Sequence, residues 1–302
     1  MANLRDLRLR IRSVQNTQQI TKAMKMVAAA RLNRAQERIS SGRPYFSQLD
    51  DLLELLAPKL ASSQHPLTQK RDAGKTLLVV IAGDRGLCGA YNANILRFAA
   101  NYARNTFPSK QDYAFVALGR KSEQFLRFRK QVVARSFTRM PVTLPYAFTR
   151  SISDYLMDEF LSGRARQVDL FYSRFASLAR HVPTRVPLLP ITSLERLDTP
   201  KKGLASTFSD PRPPAPDPQF EFEPKPEIIL DALLPKVINL RVFHALAEAM
   251  ASEQAARMIA MDNATENAAD IIRSLSMEYN RARQESITKE LMDIVGGAEA
   301  LK

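Results

Sequence analysis

The sequence predicts an α+α/β protein: an antiparallel coiled coil of long N- and C-terminal helices plus a small Rossmann-like open α/β domain. Three observations predict it. From Lys236 to Val295 no Gly or Pro occurs, and a helix of that length would span roughly 90 Å, far beyond the three turns usual in a globular protein. The chain also opens with a helical run that meets no Gly before Gly42 and no Pro before Pro44. Between the two, short apolar β-branched runs alternate with helical stretches, the pattern of a parallel sheet with crossover helices.

The N-terminal helix takes residues 1–58. Leu4, Leu7, Ile11 and Val14 make a 3-4-3 seam, the polar stretch Gln15–Gln19 interrupts it, and Ile20, Met24 and Val27 resume it before Ala28–Ala30. Such a seam seeks a partner helix. A kink or break is expected near Pro44. Residues 59–74 read as a polar linker. The α/β domain takes residues 75–195, with strands at Thr76–Ala82, Tyr113–Leu118, Gln131–Ser136 and Val168–Ser173. Helices are expected at about 92–105, 121–128 and 149–161. Arg185–Ile191 carries prolines, which confine it to a sheet edge.

Residues 196–227 form a Pro-rich loop, since Thr199–Glu227 holds eight of the chain's 18 prolines; Phe220–Glu223 reads as one short extended piece within it. The C-terminal helix takes residues 228–302. Its seam runs Met261, Thr265, Ala268, Ile272, Leu275, Tyr279 and Ala282, spaced 4-3-4-3-4-3, and Ile287, Leu291 and Ile294 resume it after a phase slip. The two seams pair as a left-handed coiled coil.

Composition narrows the function. Lys+Arg 44 against Asp+Glu 31 gives a formal net charge of +13, so an acidic counterpart is expected: nucleic acid, an anionic membrane surface or acidic protein loops. The excess is one-sided at the N-terminus, where nine basic residues from Arg5 to Arg38 face only Asp6 and Glu37. That segment has no aromatic for base stacking, which weakens the nucleic-acid reading. Cys88 is the only cysteine, so no internal disulfide forms. No apolar run reaches membrane-spanning length, and the chain reads as soluble, with any membrane link indirect.

Catalytic and ligand motifs are weak. Gly74-Lys75-Thr76 resembles the end of a phosphate loop, but Gln69 stands where its first Gly belongs and the triplet precedes its strand. The turn Gly83, Asp84, Arg85, Gly86, Leu87, Cys88, Gly89 follows a strand and precedes a helix. Its spacing is not that of a dinucleotide fingerprint, and no acidic residue stands about twenty positions on. Tight turning at a sheet edge, with local polar contacts from Asp84 and Arg85, is the plainer reading. Cys88 lacks a nearby His to act as base. His65, His181 and His244 have no metal-ligand spacing. No catalytic residue, cofactor or metal is expected.

The strings RIRSVQNTQQITKAMKMVAAARL, DRGLCGAYN, ASEQAARMIAMDNATENA and ARQESITKELMDIVGGA resemble the γ subunit of F-type ATP synthases, of bacterial type. The end pattern is met by Ile287, Thr288, Glu290, Asp293, Gly297 and Ala298. The resemblance covers both helical ends and the first strand and turn, whereas the rest of the core and the Pro-rich loop match only in plan. It implies a non-catalytic central rotor shaft that couples proton flow to ATP synthesis or hydrolysis and helps regulate that activity. The implied partners are the α and β subunits, the ε subunit and the membrane c-ring, with no nucleic acid and membrane contact only through the complex. The implied place is the cytoplasmic face of the bacterial inner membrane, as a peripheral subunit. Carried over by position, Met24, Lys25, Arg257, Arg283, Gln284, Thr288 and Glu290 are implied contacts to the catalytic subunits, the charged and polar ones among them outside the seam. With only Cys88, no thiol switch of the chloroplast kind is implied. Two other readings stay open from the residues themselves: a basic coiled-coil binder of nucleic acid, and a nucleotide-binding enzyme using the 83–89 turn.

Overall fold

The computed structural model describes residues 4–62, 65–141, 143–191 and 226–299. The Pro-rich segment and its extended piece at Phe220–Glu223 lie outside the described residues. In chain order the elements are α1 (Leu4–Ser62), β1 (Lys75–Ile81), α2 (Tyr91–Thr106), β2 (Tyr113–Leu118), α3 (Arg120–Phe128), β3 (Val133–Phe137), α4 (Tyr146–Leu161), β4 (Ala165–Phe175), β5 (His181–Leu189) and α5 (Pro226–Glu299). They divide into two compact units, one of residues 1–30 with 257–302, the other Arg31–Ala256.

In the larger unit the strands form one sheet of order β3-β2-β1-β4-β5. β1, β2, β3 and β4 are parallel, and β5 pairs antiparallel with β4. The parallel strands are the continuous apolar runs seen in the sequence, because both faces of the sheet are covered. Alternate residues serve opposite faces. Leu77, Val79 and Ile81 of β1 join Val116, Leu170, Ile152 and Phe160 of α4, and Leu234, Ile238 and Leu246 of α5, in one core. Leu78 and Val80 join Phe115, Phe171 and Ile95 of α2 in the other. The sheet is thus a partition between α2 and α3 on one side and α4 and α5 on the other.

The edge strand β5 is held by a buried charge pair. Asp169 of β4 is fully buried, and its carboxylate accepts from Arg185 Nε at 3.0 Å and Nη2 at 3.3 Å, and from Gln167 Nε2 at 3.0 Å. The Arg185 guanidinium lies over the Tyr102 ring, 4.7 Å from its centre. Burial first, then the neighbouring Asp169, raises the Tyr102 hydroxyl pKa above its usual value. The strand Arg185–Ile191 therefore starts earlier than expected, at His181, and as an edge strand it tolerates Pro183 and Pro187.

One helix expectation changes. α1 continues through Gly42 and Pro44 with no break: one proline removes one donor, and a long helix retains its other bonds. α5, expected over 228–302, starts at Pro226 and likewise contains Pro235. Within the larger unit α1 lies along α5, with Leu32 and Ala35 against Ala251 and Ala255, and Leu49 against Val237. Higher residues of one helix meet lower residues of the other, so the two run antiparallel. Among the described residues, no helix is long and apolar enough to cross a membrane.

Candidate functional site

In the smaller unit α1 and α5 face each other in antiparallel register. Arg8 Nη2 donates to Tyr279 Oη at 2.6 Å, and its guanidinium lies over that ring. The Thr21 and Thr265 hydroxyls are 2.7 Å apart, Gln18 Nε2 donates to Thr265 O at 3.5 Å, and Lys25 Nζ meets Asp262 Oδ1 at 2.5 Å. Facing residue numbers sum to nearly a constant, as an antiparallel pair requires.

These contacts correct the N-terminal seam. The inward positions are Leu7, Ile11, Val14, Gln18, Thr21, Lys25 and Ala28, an unbroken 4-3-4-3-4-3 series running straight through the polar stretch. Ile20 (60% exposed) and Val27 (52%), expected in the seam, point outward. Polar side chains fill the inward positions there because each finds a partner across the pair, and Lys25 and Asp262 also stay partly in water, with side chains 41% and 42% exposed. Lys25 is therefore an inward residue with an intrachain partner, and not one outside the seam.

The α5 seam is as expected from Met261 to Ala282, and Ser286 extends it. The resumption at Ile287 is not observed. Ile287, Leu291 and Ile294 are exposed, together with Met292 and Val295. The register gives these positions no facing residue among the described residues of α1, so they form an apolar surface on one helix. Arg283, Gln284, Thr288 and Glu290 are exposed on the same stretch. Met24 is half-buried beside the seam, whereas Arg257 is only 8% exposed and is engaged in polar interactions.

The 83–89 turn sits at the C-terminal end of β1, a central strand and not an edge. In open α/β sheets that end, where strand order reverses, is the usual ligand crevice. Here it is filled by the chain's own groups. The Asp84 carboxylate accepts from three backbone N–H groups: Arg120 at 2.8 Å, Arg139 at 3.3 Å and Met140 at 2.7 Å. It thereby caps the start of α3, the place a phosphate would take. At Gly83 a Cβ would come within 2.8 Å of the Glu253 carboxyl carbon, so the crevice floor meets an acid of α5.

Asn92 closes the turn, accepting from Gly83 N at 2.8 Å and donating to Arg85 O at 3.2 Å and Cys88 Sγ at 3.1 Å. Tyr91 Oη donates to Ala249 O at 2.9 Å, and Cys88 is buried. Gly89 has φ +54, whereas Gly86 has open space around it. Asp84 occupies the backbone donors that a nucleotide phosphate would need, which speaks against the nucleotide-enzyme reading of this turn. Arg85 and Leu87 alone project outward, and Leu87 holds φ 62, a strained value for a non-glycine residue.

Glu253 and Ala249 lie far along the chain from the turn they complete, and no local spacing signals them. The same holds for Asp262 opposite Lys25.

A family model described as ATP synthase matches residues 3–301. The chain is 41% identical over 302 residues to the ATP synthase gamma chain of Desulforamulus reducens, and 42% identical over 303 residues to that of Moorella thermoacetica, with full coverage of both partners in each case. Among solved structures it resembles a central stalk and c-ring chain of the Tetrahymena thermophila mitochondrial ATP synthase. That match has a TM-score of 0.58 and 25% identity, covering 81% of this chain and 99% of the other. A rotor chain of the Euglena gracilis mitochondrial ATP synthase gives a TM-score of 0.64 at 19% identity, over 94% of this chain and 98% of the other, a likeness of fold.

Proposed function

The chain belongs to the ATP synthase gamma-chain family, and from that premise we propose that its helical pair is an antiparallel coiled coil that turns inside a collar of α and β subunits. The chain is a central rotor subunit of the ATP synthase and performs no bond chemistry itself. Its output is a differential strain on otherwise equivalent catalytic sites, a bias among their conformations.

One observation carries this reading: the apolar surface of Ile287, Leu291, Met292, Ile294 and Val295 on a helix that nothing described in this chain covers. Contiguous exposed apolar surface of this kind marks a partner site. Arg283, Gln284, Thr288 and Glu290, exposed beside it, supply polar contacts to the collar. Met24 adds a contact on the neighbouring helix. Lys25, paired with Asp262 across the two helices, also holds the pair together, and it and Arg257 complete the proposed contacts to the catalytic subunits.

Residues 1–58 and 228–302 make the turning element. Residues 75–195, seated on the c-ring with ε alongside, receive the torque of proton flow, and 59–74 and 196–227 connect the two. Membership of the complex supports a peripheral place at the cytoplasmic face of a bacterial inner membrane.

The test uses Cys88→Ala chains carrying Ile287→Cys, Leu291→Cys or Ile294→Cys, assembled with α and β subunits. A water-soluble maleimide is expected to label each cysteine fast in the free chain and far more slowly in the assembly. Equal labelling in the two states would remove the collar reading, as would a chain that retains DNA in a steeply salt-dependent manner and leaves α and β unbound.

A further inference from the structure

At the N-terminal end of the parallel strands, away from the 83–89 turn, α2 and α3 enclose a depression of about 350 Å³. Its rim carries Arg97 and Arg104 of α2, Lys110 and Arg129, and no carboxylate is among its lining residues. We propose that this depression binds a phosphoryl group, carried on a free phosphate compound or on an anionic lipid headgroup. The inference does not depend on the rotor reading.

The cations are positioned without being neutralised. Arg97 donates from Nε to Ala93 O at 3.2 Å and from Nη2 to Asn94 Oδ1 at 3.1 Å, and Arg104 Nη2 donates to Asn101 Oδ1 at 3.2 Å. Seven residues apart on one helix, the two share a face about two turns long. The Arg129 guanidinium rests over the Phe125 ring, 5.5 Å from its centre. Neutral acceptors and a ring face fix the three arginines but leave their full charge, and with Lys110 four like charges repel around one hollow until an anion enters.

Two acids close in sequence to the lining residues are engaged elsewhere: Glu123 pairs with Arg127 at 2.7 Å, and Asp112 Oδ2 accepts from Ser109 N at 3.2 Å. Forked guanidinium donors in number suit the several oxygens and double charge of a phosphoryl group better than a single carboxylate. Phe107, Phe125 and Tyr113 form an aromatic floor, the last fixed by its hydroxyl donating to Gln131 Oε1 at 3.0 Å. That floor accepts an apolar or ring-bearing body attached to the phosphate. The adjoining depression of about 790 Å³ differs: Asp72 and Asp112 balance Lys70 and Arg71 there, Arg185 is committed to buried Asp169, and Arg166, which donates to Thr76 Oγ1, is the one cation left over among its lining residues. Positive charge is therefore more concentrated in the first hollow.

The full-length chain at low ionic strength is titrated with pyrophosphate by calorimetry, and separately floated with phosphatidylglycerol or phosphatidylcholine vesicles. Binding in at least one arm is expected, pyrophosphate identifying a free ligand and phosphatidylglycerol a headgroup. The double variant R97Q/R104Q should weaken it by about tenfold or more, and R129Q should weaken it on its own. The control R150Q/R180Q removes equal charge from other surfaces and should bind as the parent does. Circular dichroism checks that each variant is folded. No binding in either arm, equal affinity in the parent, R97Q/R104Q and R129Q, or an equal loss in the control would overturn the proposal.

Discussion

The Thr21 and Thr265 hydroxyls stand 2.7 Å apart across the helical pair, and each also lies within reach of a carbonyl on its own helix, Gln18 O at 3.0 Å and Met261 O at 2.7 Å. Two hydroxyl hydrogens serve three contacts, so one contact must always go without a proton of its own. A polar pair in a seam, here flanked by the inward Gln18 and Lys25, costs some stability and fixes register.

Thr21→Val alone should destabilise the chain by about 0.5–1.5 kcal/mol, since Thr265 then loses its cross-helix partner but keeps its carbonyl. Thr21→Val with Thr265→Val should be close to neutral. A double-mutant cycle by chemical denaturation measures the coupling, and two additive single effects would show that the hydroxyls do not interact.

Asp84→Ala should cost about 2–3 kcal/mol, because three backbone donors lose one charged acceptor and α3 loses its cap. Asp84→Asn, which keeps one acceptor oxygen, should cost less. Gly86→Ala, with open space around the added carbon, should change little, whereas Gly119→Ala at φ +90 would drive a Cβ to 2.0 Å from Ala82 O and should prevent stable folding. Urea midpoints across this set check the order.

Arg185→Leu should destabilise the sheet edge by about 3–5 kcal/mol, since it leaves Asp169 buried and charged without its partner. Arg185→Leu combined with Asp169→Leu should recover much of that loss. Hydrogen exchange of β5 amides would report the opening of the edge.

Burial holds the His181 imidazole below its ordinary pKa of 6.5, opposed in part by a backbone hydrogen bond at Leu178. The folded value lies below the unfolded one, so the unfolded chain takes up the proton first as pH falls. The stability contribution is complete above 6.5 and declines as pH drops from there toward the folded pKa. His181→Phe should flatten the acid side of the stability profile relative to the parent. Parallel profiles for the two chains between pH 7.5 and 5.5 would contradict this.

Much of the sheet was legible because burial on both faces leaves continuous apolar runs: Tyr113–Leu118 is one strand, as its residues indicate. The direction of β5 was not legible, since a proline-bearing edge strand carries no signal for parallel or antiparallel pairing. Periodicity found the α5 seam but misplaced the α1 seam. Apolarity marks an inward face only where no cross-helix hydrogen bonds exist to admit Gln18, Thr21 and Lys25. The same assumption sent Ile287 inward, although there it has no described partner to be buried against. The turn could be recognised as structural from its spacing. The closure of its crevice by Glu253 could not, because that contact joins residues far apart in the chain.

The stretch of α5 from Ile287 onward has a mechanical consequence. Torsional stiffness rises steeply with cross-section, so a single helix twists far more readily than two wound together. Load applied across the turning element would therefore wind up this slender end first, making it a spring in series with a more rigid spindle.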